Sequence, residues 1–519
     1  MKKILLFLLL IIQSGLLQSQ TLNWQKLIGG SDSDKGTCLL SPFSNVNPAP
    51  NNLIIGGYYK SLDGDFTSNH GNYDVFVMSL DNNGNVLWQT TFGGSNVDYI
   101  YDMAYDGTDI IVAGTTKSND GDFSSNHGNY DYLVAKMDTS GNMIWLKTFG
   151  GSDIDKATSV IVVNDTIKVL GYKKSVDGDV TPGTDFGQYD IWLINLDTNG
   201  NLLSQHTYGG ASDDKSTQIY KNPSDNNIFV AAYSKSDNGD LTENHGNYDY
   251  WIFKIDANDD IVWQKSYGGS GIDKEPRITG QSGTMFVVGT SNSNDGDITA
   301  PKGNFDIWFT QLDWNTGHLI SQVNIGGSGA DFATGIFDTP LMVRSTNSPI
   351  GYISAYSNSD DGDFTTNNGN YDSWLLGFDF NNNYNTFHLG GDDVDELMAI
   401  DFNYVLGKTK SNNGDFSDQH GNYDIWLVNA DMPLDSGGIQ QPEIRVKTFP
   451  NPVLDFVKIE ADDIQKIEVF DMSGKLVKSY KLPALIDVAN LNLSDLAGGE
   501  YLVKTITKKG YGINKITKK

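Results

Sequence analysis

Ser118-Asn119-Asp120-Gly121-Asp122, followed by Gly128-Asn129-Tyr130-Asp131, decides the fold, because the same stretch returns along the whole chain. Its general form is Ser-x-[Asp/Asn]-Gly-Asp and then, after about six residues, Gly-[Asn/Gln]-[Tyr/Phe]-Asp. The central glycine recurs at Gly64, Gly121, Gly178, Gly239, Gly296, Gly362 and Gly414, roughly 57 residues apart. A second motif, Gly-Gly-x-x-x-Asp, places aspartates at Asp34, Asp98, Asp155, Asp214, Asp273, Asp331 and Asp395, and the two motifs alternate without exception. Fixed-period repetition outranks local pattern, because one such unit cannot bury its faces without its neighbours.

Inside a unit, β-branched and aromatic runs are bounded by Gly, Asn and Asp, as strands are. In the unit that begins at Gly93, strands are expected near Ile100 to Ala104, Asp109 to Thr115, Tyr132 to Met137 and Met143 to Thr148. Asp138-Thr139-Ser140-Gly141 joins the last two as a tight hairpin, with glycine where positive φ is needed. Four antiparallel strands in a unit of this length make a propeller blade. In six units the third strand runs on into a fourth that ends at Gly-Gly, as in Val86-Leu87-Trp88-Gln89-Thr90-Thr91-Phe92. The seventh unit passes from Trp426-Leu427-Val428-Asn429 to Asp431-Met432-Pro433 without a fourth strand. Leu22-Asn23-Trp24-Gln25-Lys26-Leu27-Ile28 precedes the first Gly-Gly with no blade of its own, and by completing the last blade it would remove two open sheet edges. The expected fold is all-β, a seven-bladed β-propeller over 22–431 followed by a small immunoglobulin-like β-sandwich.

The flanks divide the rest. Residues 1–19 have the form of a signal peptide, with Lys2 and Lys3 before the apolar run Ile4 to Ile12, which is too short to span a bilayer comfortably. No later stretch approaches a transmembrane span, and Cys38, the one cysteine, has no partner for a disulfide. Residues 432–446, with Ser436-Gly437-Gly438 and Gln440-Gln441-Pro442, read as a linker, and 447–519 as a separate domain. Strands are expected there at Val457 to Glu460, Lys466 to Phe470, Lys475 to Tyr480 and Tyr501 to Ile506. From Gln441 onward there are 13 basic and 10 acidic residues, whereas the body holds 21 basic and 55 acidic, a net charge of −34. Such a field repels nucleic acid and anionic lipid, and suits divalent cations or cationic partners.

The tail resembles the type A C-terminal sorting domain of the type IX secretion system of Bacteroidetes. The resemblance is carried by Phe449-Pro450-Asn451-Pro452, by Ile467-Glu468-Val469-Phe470-Asp471-Met472-Ser473-Gly474-Lys475-Leu476-Val477, by Leu491-Asn492-Leu493, by Leu496-Ala497-Gly498-Gly499-Glu500-Tyr501-Leu502-Val503-Lys504 and by the basic C-terminus. It implies delivery across the outer membrane by the type IX machinery, with the mature protein secreted or attached to the outer cell surface. The body is similar to the β-propeller repeats of exported bacterial proteins, a resemblance that bears on fold and leaves the ligand open.

Alternating strand direction puts both motif loops on one face, where three aspartates per blade form an expected ring of 21 carboxylates. Asp98, Asp122 and Asp131, and Asp155, Asp179 and Asp190, are the candidate calcium ligands, because a hard cation takes several oxygens from a tight glycine-containing loop. The spacing is not that of an EF-hand and no glutamate closes the set. The other reading is turn chemistry, each aspartate capping backbone N–H groups. His70, His127, His245 and His420 share one slot that Asn368 fills in the sixth unit, so they read as turn residues.

The hairpin Asp81 to Trp88 resembles the tryptophan-docking turns of quinoprotein propellers and approximates the aspartate box of sialidases. The quinoproteins' adjacent cysteines are absent, and between Gln20 and Gln440 only Arg277 and Arg344 could serve a sialidase. Trp88, Trp145 and Trp263, with Trp192, Trp251, Trp308, Trp374 and Trp426, are expected to pack between blades. The function expected is an exported binding or scaffold protein for an extracellular glycan or protein, with no cofactor required. The alternative is a secreted hydrolase of glycans or peptides with its site on the propeller axis.

Overall fold

The computed structural model describes residues 22–42, 50–183, 186–223, 225–339, 349–417, 419–430, 447–471, 476–507 and 510–519. The expected signal peptide and linker lie outside the described residues. Within them the regular structure is all β, in seven four-stranded antiparallel sheets and a further five-stranded one. The four-stranded sheets resemble propeller blades.

The second sheet shows the pattern. Its strands run Asp98–Tyr105, Asp109–Thr116, Asp131–Asp138 and Met143–Phe149, within two residues of the expected bounds. Gly141 in the last hairpin has φ of +86°, the left-handed region that glycine enters without penalty. The third strand, Asp-Tyr-Leu-Val-Ala-Lys-Met-Asp, is buried along nearly its whole length, while the fourth is half-exposed. A sheet graded in this way has its core faces inside and one rim in solvent.

Each first strand carries a bulge, as between Ile100 and Asp102 or Ala157 and Ser159, which sharpens its twist. First strands of successive sheets pack against one another, and that of the seventh sheet, Asp395–Asp401, packs against that of the first, Lys35–Leu40. Polar contacts follow the same circuit. Thr37 Oγ1 donates to Ile100 O at 2.7 Å, Thr158 and Ser216 share a hydrogen bond of 3.0 Å, and Thr279 Oγ1 donates to Asp338 at 2.5 Å. Ser41 N closes the circuit by donating to Asp401 Oδ2 at 3.0 Å. The seventh sheet is completed by Leu22–Ile28, paired antiparallel with Asp424–Ala430 in the register Gln25↔Val428 and Leu27↔Trp426.

The cores lie between sheets. Tyr132 and Val134 of the second sheet pack with Val169 and Trp192 of the third, and Phe76 and Leu53 of the first pack with Leu406 and Leu427 of the seventh. Each fully buried side chain of this size stabilises the fold by roughly 1.5–3 kcal/mol. Fourth-strand tryptophans add a latch: Trp88 Nε1 donates to Thr139 O at 2.9 Å and Trp145 Nε1 to Thr198 O at 3.1 Å, each in the hairpin of the next sheet. Trp24, on the N-terminal strand, does the same to Asn82 O of the first sheet at 2.9 Å.

In the tail, Lys447–Phe449, Phe456–Asp471, Leu476–Asn492, Gly499–Thr507 and Gly510–Lys518 form the five-stranded sheet. The two strands expected at Val457 to Glu460 and Lys466 to Phe470 are one irregular strand with register shifts between Glu460 and Lys466. Its core includes Val457, Ile459, Ile467, Val469, Leu491 and Val503. Among the described residues no helix is long and apolar enough to cross a membrane.

Candidate functional site: signature loops and inner rim

The two sequence motifs dock on each other. In every four-stranded sheet the Gly-Gly-x-x-x-Asp carboxylate accepts the N–H of the second glycine, as Asp98 Oδ2 accepts Gly94 N at 2.8 Å and Asp155 Oδ2 accepts Gly151 N at 2.8 Å. The last aspartate of Ser-x-[Asp/Asn]-Gly-Asp accepts the first glycine, as Asp122 Oδ2 accepts Gly93 N at 2.9 Å and Asp179 Oδ2 accepts Gly150 N at 3.2 Å. The earlier aspartate takes the next amide, as Asp120 Oδ1 takes Ser95 N at 2.7 Å. Gly121 between them has φ of +65°.

The remaining aspartate of each unit begins the third strand. Asp131 Oδ2 accepts His127 N at 2.6 Å and lies 3.1 Å from His127 Nδ1, and Asp190 Oδ2 accepts Phe186 N at 3.0 Å. The histidine slot therefore sets a ring nitrogen beside a buried carboxylate, which the turn-residue reading missed. In two sheets where the slot holds another residue, a nitrogen from elsewhere approaches the carboxylate. Lys173 Nζ stands 3.7 Å from Asp190, and His388 Nε2 stands 2.6 Å from Asp372.

The expected ring of 21 surface carboxylates is not formed. Asp98, Asp131, Asp155 and Asp190 are all fully buried, and so are their counterparts in the other sheets, because they turn inward to backbone amides. The aspartates also regroup. Asp131 meets Asp155 and Asp179 across the boundary between the second and third sheets, Asp98 and Asp122 meet Asp74 of the first sheet, and Asp190 meets Asp214 of the fourth. At six of the boundaries the third-strand carboxylate keeps one buried oxygen without a hydrogen-bond partner among the described residues: Asp74, Asp131, Asp249, Asp306, Asp372 and Asp424 Oδ1. Burial raises Asp98 and Asp155 above the usual carboxylate range, against their hydrogen bonds, and pushes Asp131 up to about 6. Among the described residues no three His, Cys, Asp or Glu side chains are arranged to hold a metal ion.

Toward the first strands the chemistry changes. The aromatic residue of Gly-[Asn/Gln]-[Tyr/Phe]-Asp forms a parallel bridge to the following sheet at all seven boundaries, among them Tyr130↔Ile154, Tyr189↔Asp213 and Tyr423↔Ser33. In four sheets its ring stands edge-on to an aromatic at the end of the second strand. Tyr58 and Tyr73 are 5.5 Å apart at 88°, Tyr172 and Tyr189 5.6 Å at 86°, and Tyr233 and Tyr248 5.1 Å at 70°. The residue after the first-strand aspartate is a lysine in four sheets, and in three of them it reaches over these rings. Lys156 Nζ lies 4.4 Å from the Tyr130 centroid, Lys215 Nζ 4.4 Å from Tyr189, and Lys35 Nζ 5.3 Å from Tyr423. Lys117 and Lys235 approach Tyr130 and Tyr248 at 5.4 and 4.2 Å. The rim of the first strands is thus a belt of half-exposed tyrosines and lysines inside an acidic body. The recurrent Asp-Lys pairs at 34–35, 155–156, 214–215 and 273–274 carried that information in the sequence.

On the first strand of the second sheet, burial raises Asp102, whose carboxylate accepts Ser159 Oγ at 2.6 Å and Val160 N at 2.9 Å. Arg277, on the first strand of the fifth sheet, attracts it. A separate cleft of about 290 Å³ opens between the second and third sheets, lined by Ser125, His127, Lys147, Thr148 and Asp179.

Over 324 residues the chain is 22% identical to the Regulatory protein FlaEY of Caulobacter vibrioides, an alignment covering 54% of this chain and 32% of that protein. The chain therefore spans about a third of the length of this curated relative. Among solved structures it is similar to hydrazine synthase of Kuenenia stuttgartiensis, with a TM-score of 0.36 and 13% identity over 67% of this chain and 78% of that one. It is also similar to cobalt-substituted ACO of Synechocystis, with a TM-score of 0.34 and 14% identity over 59% and 63% of the two chains. Residues 447–519 match the family described as the secretion system C-terminal sorting domain. The chain is accordingly cargo of type IX secretion, secreted or attached to the outer cell surface.

Proposed function

We propose that the seven four-stranded sheets are the blades of one closed β-propeller over 22–431, that 447–519 is an immunoglobulin-like sandwich read by the export machinery, and that the body is a binding or scaffold protein. Its ligand is an extracellular glycan or protein, seated where the first strands converge. The observation that carries this reading is the belt of tyrosines and lysines, in which Lys156 and Lys215 stack on Tyr130 and Tyr189 instead of pairing with the abundant carboxylates. Aromatic faces and ammonium groups exposed together are recognition chemistry, and a scaffold alone has no need of them.

The test is a glycan and protein array probed with the full chain and with two variants. Tyr189→Ala with Lys215→Met removes rim chemistry, whereas Leu87→Ser with Ile144→Ser changes exposed residues of outer strands. Binding lost only in the rim variant supports the proposal, and binding lost only in the outer variant contradicts it. The motif aspartates are assigned to turn chemistry, on the strength of the amide hydrogen bonds that all seven sheets repeat.

A further inference from the structure

We infer that the rim takes a polyanionic polysaccharide, one that carries a carboxylate on its sugar units; this rests on the reading of the rim as the binding site. The lysines are the first ground. Two buried lysines of third and second strands are paired: Lys136 lies 2.9 and 3.1 Å from Asp106 and Asp109, and Lys168 lies 2.6 Å from Asp259. At the rim, Lys60, Lys174, Lys274, Lys408 and Lys410 pair with carboxylates, whereas Lys35, Lys117, Lys156, Lys215 and Lys235, which lie over the tyrosine rings, have none within 4.0 Å among the described residues. They also crowd one another. Lys156 is repelled by Lys215; Lys215 is attracted by Asp213 and repelled by Lys235; Lys35 is repelled by Lys408 and attracted by Glu396.

Bringing like charges together, unpaired and partly out of water, disfavours folding. Burial accordingly lowers Lys35, Lys156 and Lys215 from the ordinary lysine range. The body's net charge of −34 opposes the approach of a polyanion from a distance, but an anion seated at the rim meets these local ammonium groups, in surroundings that strengthen each attraction relative to water.

The tyrosines choose among anions. Tyr130, Tyr189 and Tyr248, each bridged to the following sheet, return at the same place in successive sheets with a lysine above them. A pyranose uronate offers an apolar ring face and one carboxylate per unit, which matches a repeating aromatic and ammonium pair. An acidic peptide supplies the charge without the flat apolar face.

The experiment titrates the full chain with polygalacturonate, neutral dextran and poly-glutamate at low and high ionic strength. Polygalacturonate is expected to bind, with affinity falling about tenfold or more at high salt and by a similar factor in Lys156→Met/Lys215→Met. Lys156→Arg/Lys215→Arg is expected to retain binding, and all variants are compared at matched melting temperature. Equal binding of poly-glutamate overturns the polysaccharide assignment. Salt-independent binding of dextran that is lost in Tyr189→Ala overturns the anionic inference and leaves the rim reading standing. Polygalacturonate binding unchanged in every rim variant, or no binding of any probe, overturns the inference; the former removes the rim reading as well.

Discussion

Asp131 of the second sheet and Asp155 of the third face each other across Gly150, so closely that a Cβ on that glycine would stand 2.6 Å from Asp131 Oδ1 and 2.9 Å from Asp155 Oδ2. The same arrangement joins Asp249 to Asp273 across Gly268, Asp306 to Asp331 across Gly326, and Asp424 to Asp34 across Gly29. Two carboxylates so placed resist simultaneous ionisation, and the glycine is the residue that leaves them room.

Gly150→Ala is the direct test of that room. Neither carboxylate can withdraw without breaking its amide hydrogen bonds, so the substitution is expected to destabilise the body by about 1–3 kcal/mol. Equilibrium urea unfolding of the full chain measures it, and a neutral outcome would show that the boundary adjusts freely.

The pairs also set a pH dependence. Burial holds Asp131, Asp214 and Asp395 at about 6, above the ordinary 3.8, so their contribution to stability is complete below 3.8 and is lost as pH rises to about 6. Asp120, Asp138 and Asp177, held low by hydrogen bonds, act the other way, contributing above 3.8 and losing it as pH falls. The melting temperature is therefore expected to be highest near about pH 4 and to fall as pH rises toward about 6. A steady rise from pH 4 to pH 7 would contradict the account.

Calcium separates the two roles of the aspartates. If turn chemistry is their work, a chelator leaves the melting temperature of the full chain unchanged. A fall that calcium reverses, and that Asp131→Asn abolishes, would instead assign the boundary between Asp131 and Asp155 to the cation.

Most of the body was legible because its repeat is long and its strands are bounded by Gly, Asn and Asp. Leu22–Ile28 was recognisable as a closing strand because the seventh unit lacks a fourth strand. The aspartates were legible as turn residues, but their direction was not. Side-chain period cannot say that Asp131 turns inward to meet Asp155 of the next unit, since that pairing spans a boundary set by sheet packing. The rim was missed for a similar reason. Tyr130 and Lys156 belong to different units and become neighbours only when the sheets assemble. In the tail, the irregular strand Phe456–Asp471 was divided in two because its polar middle reads as a turn.

Trp24 tests closure from one side. Its indole donates to Asn82 O and covers Gly84 of the first sheet, so Trp24→Ala is expected to cost about 2 kcal/mol and to broaden unfolding. Trp145→Ala, which breaks an equivalent latch between adjacent units, should cost a similar amount. A negligible effect at Trp24 alone would mean that the circle is open there.

The rim exists only if the body closes, and closure is best measured by joining the strands that make it. Gln25→Cys with Val428→Cys places two thiols at partnered positions of the seventh sheet, while the native Cys38 is buried. On mild oxidation the account predicts an intramolecular disulfide in the monomer and a higher melting temperature, with no such product from the out-of-register pair Gln25→Cys and Ile425→Cys. Absence of the in-register cross-link, or its formation only between molecules, would contradict closure and the binding rim built on it.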